Sequence, residues 1–195
     1  MFSSHDANSS DPFIRPIFQF RDKLRRFLWN IAWFLLCRWT PNTFHKWRGL
    51  ILKLFGADIG KQSFIYPTCK IWAPWLLVTE NVVTIGPGVE IYNPGRLYIG
   101  HHAVLSQGAY ICGATHDYNE FAFTYIKKEI IIDPYVWICA RAIVLPGVNC
   151  KEGSVLGAGA VTSKNMEPWT VYAGNPAKAI KQRINSYTTE IPSQN

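Results

Sequence analysis

The stretch that decides the fold is 130–161, IIIDPYVWICARAIVLPGVNCKEGSVLGAGAV, and it divides into sixes. With Ile132 in the first place, successive hexads begin at Ile138, Val144, Cys150 and Leu156. The fifth places are Val136, Ala142, Val148, Ser154 and Ala160, all small or β-branched. A helix repeats its apolar residues every three to four positions and a half-buried strand every two, so neither accounts for this spacing. A period of six describes a chain that turns a corner every six residues and closes three flat faces into a coil. The aliphatic residue points into the prism, and the small one lets the backbone turn inside a narrow lumen. Such fixed-period self-similarity is the mark of a hexapeptide β-helix.

The frame also runs backwards. Ile99, Leu105 and Ile111 take the inward place, with Ala103, Ala109 and Thr115 as small partners. Before them come Ile59, Ile65, Ile71 and Leu77, then Ile85, Ile91 and Leu97. Fourteen of these fifteen inward places are Ile, Leu or Val, and the fifteenth is Cys150. That uniformity makes chance a poor explanation. The frame slips by two between Leu77 and Ile85, through Val83, and again between Leu97 and Ile99. These slips read as coil corners carrying small insertions.

At 195 residues the chain is one domain with extensions, long enough for a real core. Its five cysteines (Cys37, Cys69, Cys112, Cys139 and Cys150) are odd in number and show no metal-ligand spacing. No secretory signal precedes them, so the chain reads as reducing and cytosolic. The net charge of +7 is uneven. Residues 1–58 hold nine Lys/Arg against four Asp/Glu, residues 59–174 eight against eight, and residues 175–195 three against one. The excess sits at the two ends, which suggests an anionic surface as partner; no nucleic-acid module is visible.

Residues 1–19 open with a Ser-, Asn- and Asp-rich stretch and are expected to be unstructured. The segment 20–58 reads as basic, aromatic and helical. Its first helix, FRDKLRRFLWNIAWFLLCRW (20–39), is ended by Pro41, and a second, KWRGLILKLF (46–55), is closed by Gly56. The uncharged run Phe27–Cys37 is eleven residues, too short to span a bilayer, which needs about 20. Residues 20–40 either lie in a membrane interface or pack on the β-helix or a subunit contact. Residues 59–173 form the repeat body, broken at His116 by DYNEFAFTYIKKE (117–129). Long excursions usually carry function, and the aromatics of this one argue that it packs on something. The end, 174–195, reads as a short basic helix, AKAIKQRI, and a loose tail.

His116 follows Thr115 at an outward corner, at the mouth of the excursion, where an imidazole can act as general base. Its tautomer would be fixed by a carboxylate, with Asp117 adjacent, or by a backbone carbonyl. His101 and His102 follow Gly100 in a turn and read as surface residues.

The segment WICARAIVLPGVNCKEGSVLGAGAVTSKNMEPWTVYAGNPAKAIKQR (137–183) resembles the C-terminal half of the hexapeptide-repeat acetyltransferases. With VEIYNPGRLYIG and SQGAYICGATHD before it, the chain is similar to the colanic-acid-biosynthesis branch, related to galactoside and serine acetyltransferases. The resemblance spans roughly residues 45–183. It implies a mainly β fold, a left-handed parallel β-helix with N-terminal helices, one extended loop and a short C-terminal helix. It also implies a homotrimer with sites between subunits and direct acetyl transfer from acetyl-CoA to a hydroxyl, with no metal. By this resemblance His116 is the base, with Asp117 beside it. Ala140 and Ala158 line the pantetheine groove, Ser163 and Lys164 occupy the turn after the last full coil, and Lys178 and Lys181 meet the phosphates. Glu90, Tyr92 and Asn93 contact the acceptor, a sugar or lipid-linked saccharide of surface polysaccharide synthesis. The chain departs from the family at Cys139 in WICA and at Cys150-Lys151-Glu152-Gly153, which alters turn residues only. The expected place is cytoplasmic, at the inner membrane face if residues 20–40 bind lipid. Two alternatives stand beside this reading. A γ-carbonic-anhydrase-like zinc enzyme needs three histidines around one metal, and a β-helix could serve as a non-enzymatic scaffold.

Overall fold

The computed structural model describes residues 17–185; most of the segment expected to be unstructured at the N-terminus and the tail from 186 onward lie outside it. Two helices, α1 (Phe20–Leu36) and α2 (His45–Leu54), lead into short strands. α1 stops before Pro41, at Cys37, whose N–H donates to the Trp33 carbonyl.

Three sheets of parallel strands make the faces of a left-handed β-helix of about six turns. The first stacks Asp58–Ile59, Leu77–Thr79, Leu97–Ile99, Ile130–Ile132 and Asn149–Cys150. The second stacks Phe64–Ile65, Thr84–Ile85, Val104–Leu105, Trp137–Ile138, Val155–Leu156 and Thr170–Ala173, and the third Lys70–Ile71, Glu90–Tyr92, Tyr110–Cys112, Ile143–Val144 and Val161–Thr162. All fifteen expected inward residues are buried, none more than 5% exposed. The small partners Ala103, Ala109, Val136, Ala142, Ser154 and Ala160 are buried with them. Burial pushes the Cys69 and Cys150 thiols up to about 12, so both behave as small hydrophobes.

The insertions sit one corner earlier than the slips in the hexad frame. Ile65, Ile85 and Leu105 stack at intervals of 20 residues, whereas Ile138 and Leu156 are 18 apart. The extra residues lie at the corner between the third and first sheets, at 73–76 and again at 93–96. In-register stacking therefore runs Ile59, Thr79, Ile99. Leu77 and Leu97 are also inward because alternate residues of a strand share a face. The excursion is the third enlargement of this same corner. It begins earlier than expected: Ala114–His116 leaves the coil and pairs antiparallel with Tyr125–Lys127 as a hairpin. Thr115 is consequently exposed rather than inward.

The expected C-terminal helix is instead a strand, Lys178–Gln182, antiparallel to Thr170–Ala173. Helix propensity of Ala, Lys and Gln is a weak preference. The last strand of the second sheet offers a row of unpaired backbone groups, and pairing with it satisfies both segments.

α1 packs through Trp29, Trp33 and Cys37, and the Trp29 indole N–H donates to the Ile71 carbonyl at 2.6 Å. Arg48, fully buried in α2, ties the helices to the first coil. Its guanidinium donates to the carbonyls of Ile65, Pro41 and Asn42 and to the Thr40 hydroxyl. Such a charge is tolerated inside because nearly every N–H finds an acceptor.

Candidate active site

His116 is half-buried at the end of the outgoing hairpin strand. Its ring stacks on Phe123, with centroids 4.3 Å apart and planes 12° from parallel, and meets Tyr125 edge-on at 5.3 Å. Nδ1 lies 2.8 Å from the Phe123 carbonyl oxygen. A carbonyl oxygen only accepts, so Nδ1 carries a proton, and in the neutral imidazole Nε2 is the nitrogen with the free lone pair.

Asp117 does not supply that orientation. Its carboxylate accepts from the Asn119 N–H at 3.0 Å, capping the hairpin turn. Successive residues of an extended strand point to opposite sides, so the neighbour of His116 faces away from it. Phe123 returns to the imidazole because the hairpin sets His116 opposite Tyr125. The sequence pointed to the aromatics of 117–129, Phe123 and Tyr125 among them, only as packing residues; the antiparallel pairing of ATH with YIK was the signal that would have placed them.

From Tyr125 an aromatic chain runs to the helices. Its hydroxyl bonds that of Tyr92 at 2.8 Å, and burial together with this partner raises the Tyr125 phenol well above the usual range. Tyr92 meets Trp72 edge-on at 4.9 Å, and Arg26 of α1 lies 4.1 Å over Trp72. Phe18 closes the circuit against Trp72 and Tyr125.

Glu90 and Tyr92 line a cleft of ≈ 240 Å³ together with Lys70, Trp72, Phe34 and Arg38. Glu90 is exposed and pairs with Lys70 at 3.4 Å. Asn93 is not part of it. Only 2% exposed, it donates to the Ala73 carbonyl and accepts from the Ala73 N–H, clamping two enlarged corners together. An amide this deeply buried and bonded to both backbone groups of Ala73 is out of reach of an acceptor.

The residues expected on the coenzyme side divide between two corners. Ala140 and Ala158 lie where the second sheet passes to the third, and the Ala140 carbonyl accepts from the Gly159 N–H. The segment 174–177 covers the same corner through Gly174 and Ala177, bonded to both backbone groups of Val161. Lys178 follows directly; it and Lys181 are exposed and have no ion pair among the described residues. Ser163 and Lys164 occupy the other corner, the one carrying the excursion, where the Thr162 hydroxyl donates to the Lys164 carbonyl. Within one chain, His116 and the two C-terminal lysines therefore flank the third sheet rather than facing each other.

Among the described residues no three of His, Cys, Asp and Glu gather as a metal site. His101 and His102 instead face each other, Nδ1 to Nδ1 at 3.0 Å, against Tyr135.

The chain is 35% identical over 159 residues to the provisionally named colanic acid biosynthesis acetyltransferase WcaF of Escherichia coli K12, covering 82% of this chain and 87% of that one. It belongs to the hexapeptide-repeat acetyltransferases. A galactoside O-acetyltransferase of Lactococcus lactis is 30% identical over 145 residues, 69% of this chain and 67% of its own length. No family model matches. Among solved structures, a hexapeptide-repeat acetyltransferase of Vibrio cholerae, in complex with acetyl coenzyme A, superposes with a TM-score of 0.74 over 84% of this chain and 89% of that one, at 18% identity. A galactoside acetyltransferase in complex with coenzyme A reaches 0.71 over 86% and 84%, also at 18% identity. The family's fold and its class of enzyme, an acyltransferase, are thus those of this chain.

Proposed function

We propose that this acetyltransferase moves an acetyl group from acetyl-CoA to a sugar hydroxyl, free or lipid-linked, with His116 as general base. The observation that carries the reading is the Nδ1–H bond to the Phe123 carbonyl, which leaves Nε2 as the proton acceptor. Nε2 takes the hydroxyl proton as the acceptor oxygen attacks the thioester carbonyl carbon. When the carbon–sulfur bond breaks, the imidazolium returns that proton to the departing thiolate. The Phe123 ring covers one face of the imidazole and excludes water from it.

Ala140 and Ala158 suit a groove in which backbone groups meet the pantetheine arm. Lys178 and Lys181, which have no ion pair among the described residues, suit its phosphates as point charges, with Ser163 and Lys164 contributing from the next corner. Glu90 and Tyr92, in a cleft joined to His116 through Tyr125, suit the hydroxyls of a saccharide; Trp72 supplies an apolar wall. The separation of base and lysines on two corners supports a homotrimer, in which a neighbour completes each site. The reading places the enzyme in the cytoplasm, in synthesis of a surface polysaccharide.

The test is release of coenzyme A thiol when the protein, acetyl-CoA and a panel of sugar and lipid-linked acceptors are combined. Acceptor-dependent release that His116→Ala abolishes supports the reading. Release unaffected by His116→Ala removes the imidazole from the chemistry.

A further inference from the structure

The packing stripe of α1 (Trp29, Trp33 and Cys37) occupies one side of the helix and leaves the other side bare. Phe20, Leu24, Phe27, Leu28, Ile31, Phe34 and Leu35 are between 41% and 77% exposed. Their spacing of three and four residues places them in one continuous arc of about 120°, opposite the buried stripe. An apolar strip of this length on a free surface marks something that covers it.

We propose that this face docks the protein on an anionic lipid bilayer. Charge complementarity decides the occupant. Arg21 and Lys23 flank the arc on its two sides, and Arg38 closes it beside the exposed Trp39. The Trp47 indole donates to the Leu36 carbonyl, so α2 continues the surface with exposed Trp47, Leu50 and Leu54, edged by Lys46 and Lys53. Asp22, the single acid in the two helices, lines the inner cleft with Phe18 and Arg26. Arg25 and Arg26 are turned inward over Trp75 and Trp72. Against a second copy of this chain, the rim would bring cations close to cations, which costs association. Against an anionic leaflet each cation is favourable, and tryptophans at the end of the strip suit the headgroup boundary. No helix among the described residues is long and apolar enough to cross a membrane, so α1 lies in the interface plane. Phe34 belongs both to this face and to the cleft of Glu90 and Tyr92. If the proposed acetyl transfer is correct, docking brings that cleft to a lipid-linked acceptor; the docking itself does not depend on it.

The experiment is co-sedimentation of the full chain with vesicles of phosphatidylcholine alone or mixed with phosphatidylglycerol, alongside sedimentation velocity without lipid. The expected result is binding to the mixed vesicles that weakens with salt. Phe27→Gln with Leu35→Gln, both on the exposed face, loses about tenfold or more in partitioning while the oligomeric state stays unchanged. Arg21→Glu with Lys23→Glu weakens binding while keeping the apolar strip. Failure of the full chain to bind mixed vesicles overturns the proposal. So does a Gln pair that changes the oligomer and leaves vesicle binding intact, since the face is then a contact between copies.

Discussion

His116 depends on a bond that the chain makes to its own backbone seven residues later. The position of the histidine at the mouth of an excursion was legible in the sequence, because the hexad frame breaks there. Its partner was not. The sequence left open a carboxylate, with Asp117 adjacent, or a backbone carbonyl; in a strand neighbours face apart, and the hairpin returns the Phe123 carbonyl. Asn93 was misread for a related reason: a polar residue in a turn motif looks like a ligand contact until its burial is known. Replacing His116 by Ala is expected to lower kcat by about 10²–10⁴, the usual contribution of a general base, with acetyl-CoA affinity retained. A second residue-scale prediction concerns pH. The Tyr98 hydroxyl and then the His101 N–H hold the Glu80 carboxyl below its usual range, and Tyr98 itself, chiefly through burial and then through Glu80, is pushed up to about 12. A carboxyl depressed by folding contributes stability above its unfolded pKa, about 4.3, that is lost as pH falls through the folded value. Melting temperature should therefore fall on acidification below about pH 4, and Glu80→Gln should flatten that fall. An unchanged acid limb in the variant contradicts the assignment.

At the scale of the element, the β-helix is a stack of recurring corners, and their chemistry explains both what the hexads revealed and what they hid. The corner between the first and second sheets repeats a left-handed residue at Gln62, Val82, His102, Tyr135, Gly153 and Trp169. Non-glycine residues stand at five of these six positions, so backbone conformation alone does not demand Gly153. Its reason is contact: a Cβ there would run into the Trp169 ring stacked on it. Gly153→Ala should cost about 1–3 kcal/mol by overpacking, and appreciably less in a Trp169→Leu background. Equal costs in both backgrounds, measured by chemical denaturation, would show that the ring is not responsible. Regular coils were readable because nearly every inward place holds an aliphatic residue. The C-terminal segment was not, because its strand is exposed at all five positions and carries no apolar pattern. Only the free sheet edge beside it sets its conformation.

For the whole molecule, composition already separated a neutral body from basic ends. The structure gives those ends different surfaces: an apolar, cation-rimmed pair of helices at one end and a lysine-bearing hairpin at the other. Of the two readings of residues 20–40, packing is seen on one face of α1, buried against the third sheet, and the other face, which is bare, is the one proposed to meet lipid. The hairpin lysines and His116 lie on different corners, which is why a neighbouring subunit enters the account. The central claim is most directly tested by calorimetric titration of acetyl-CoA into the purified full chain, with no acceptor present. The account predicts saturable binding near one site per subunit, weakened at least about tenfold by Lys178→Ala with Lys181→Ala, the loss expected for two phosphate contacts. Absence of binding at millimolar acetyl-CoA would contradict it.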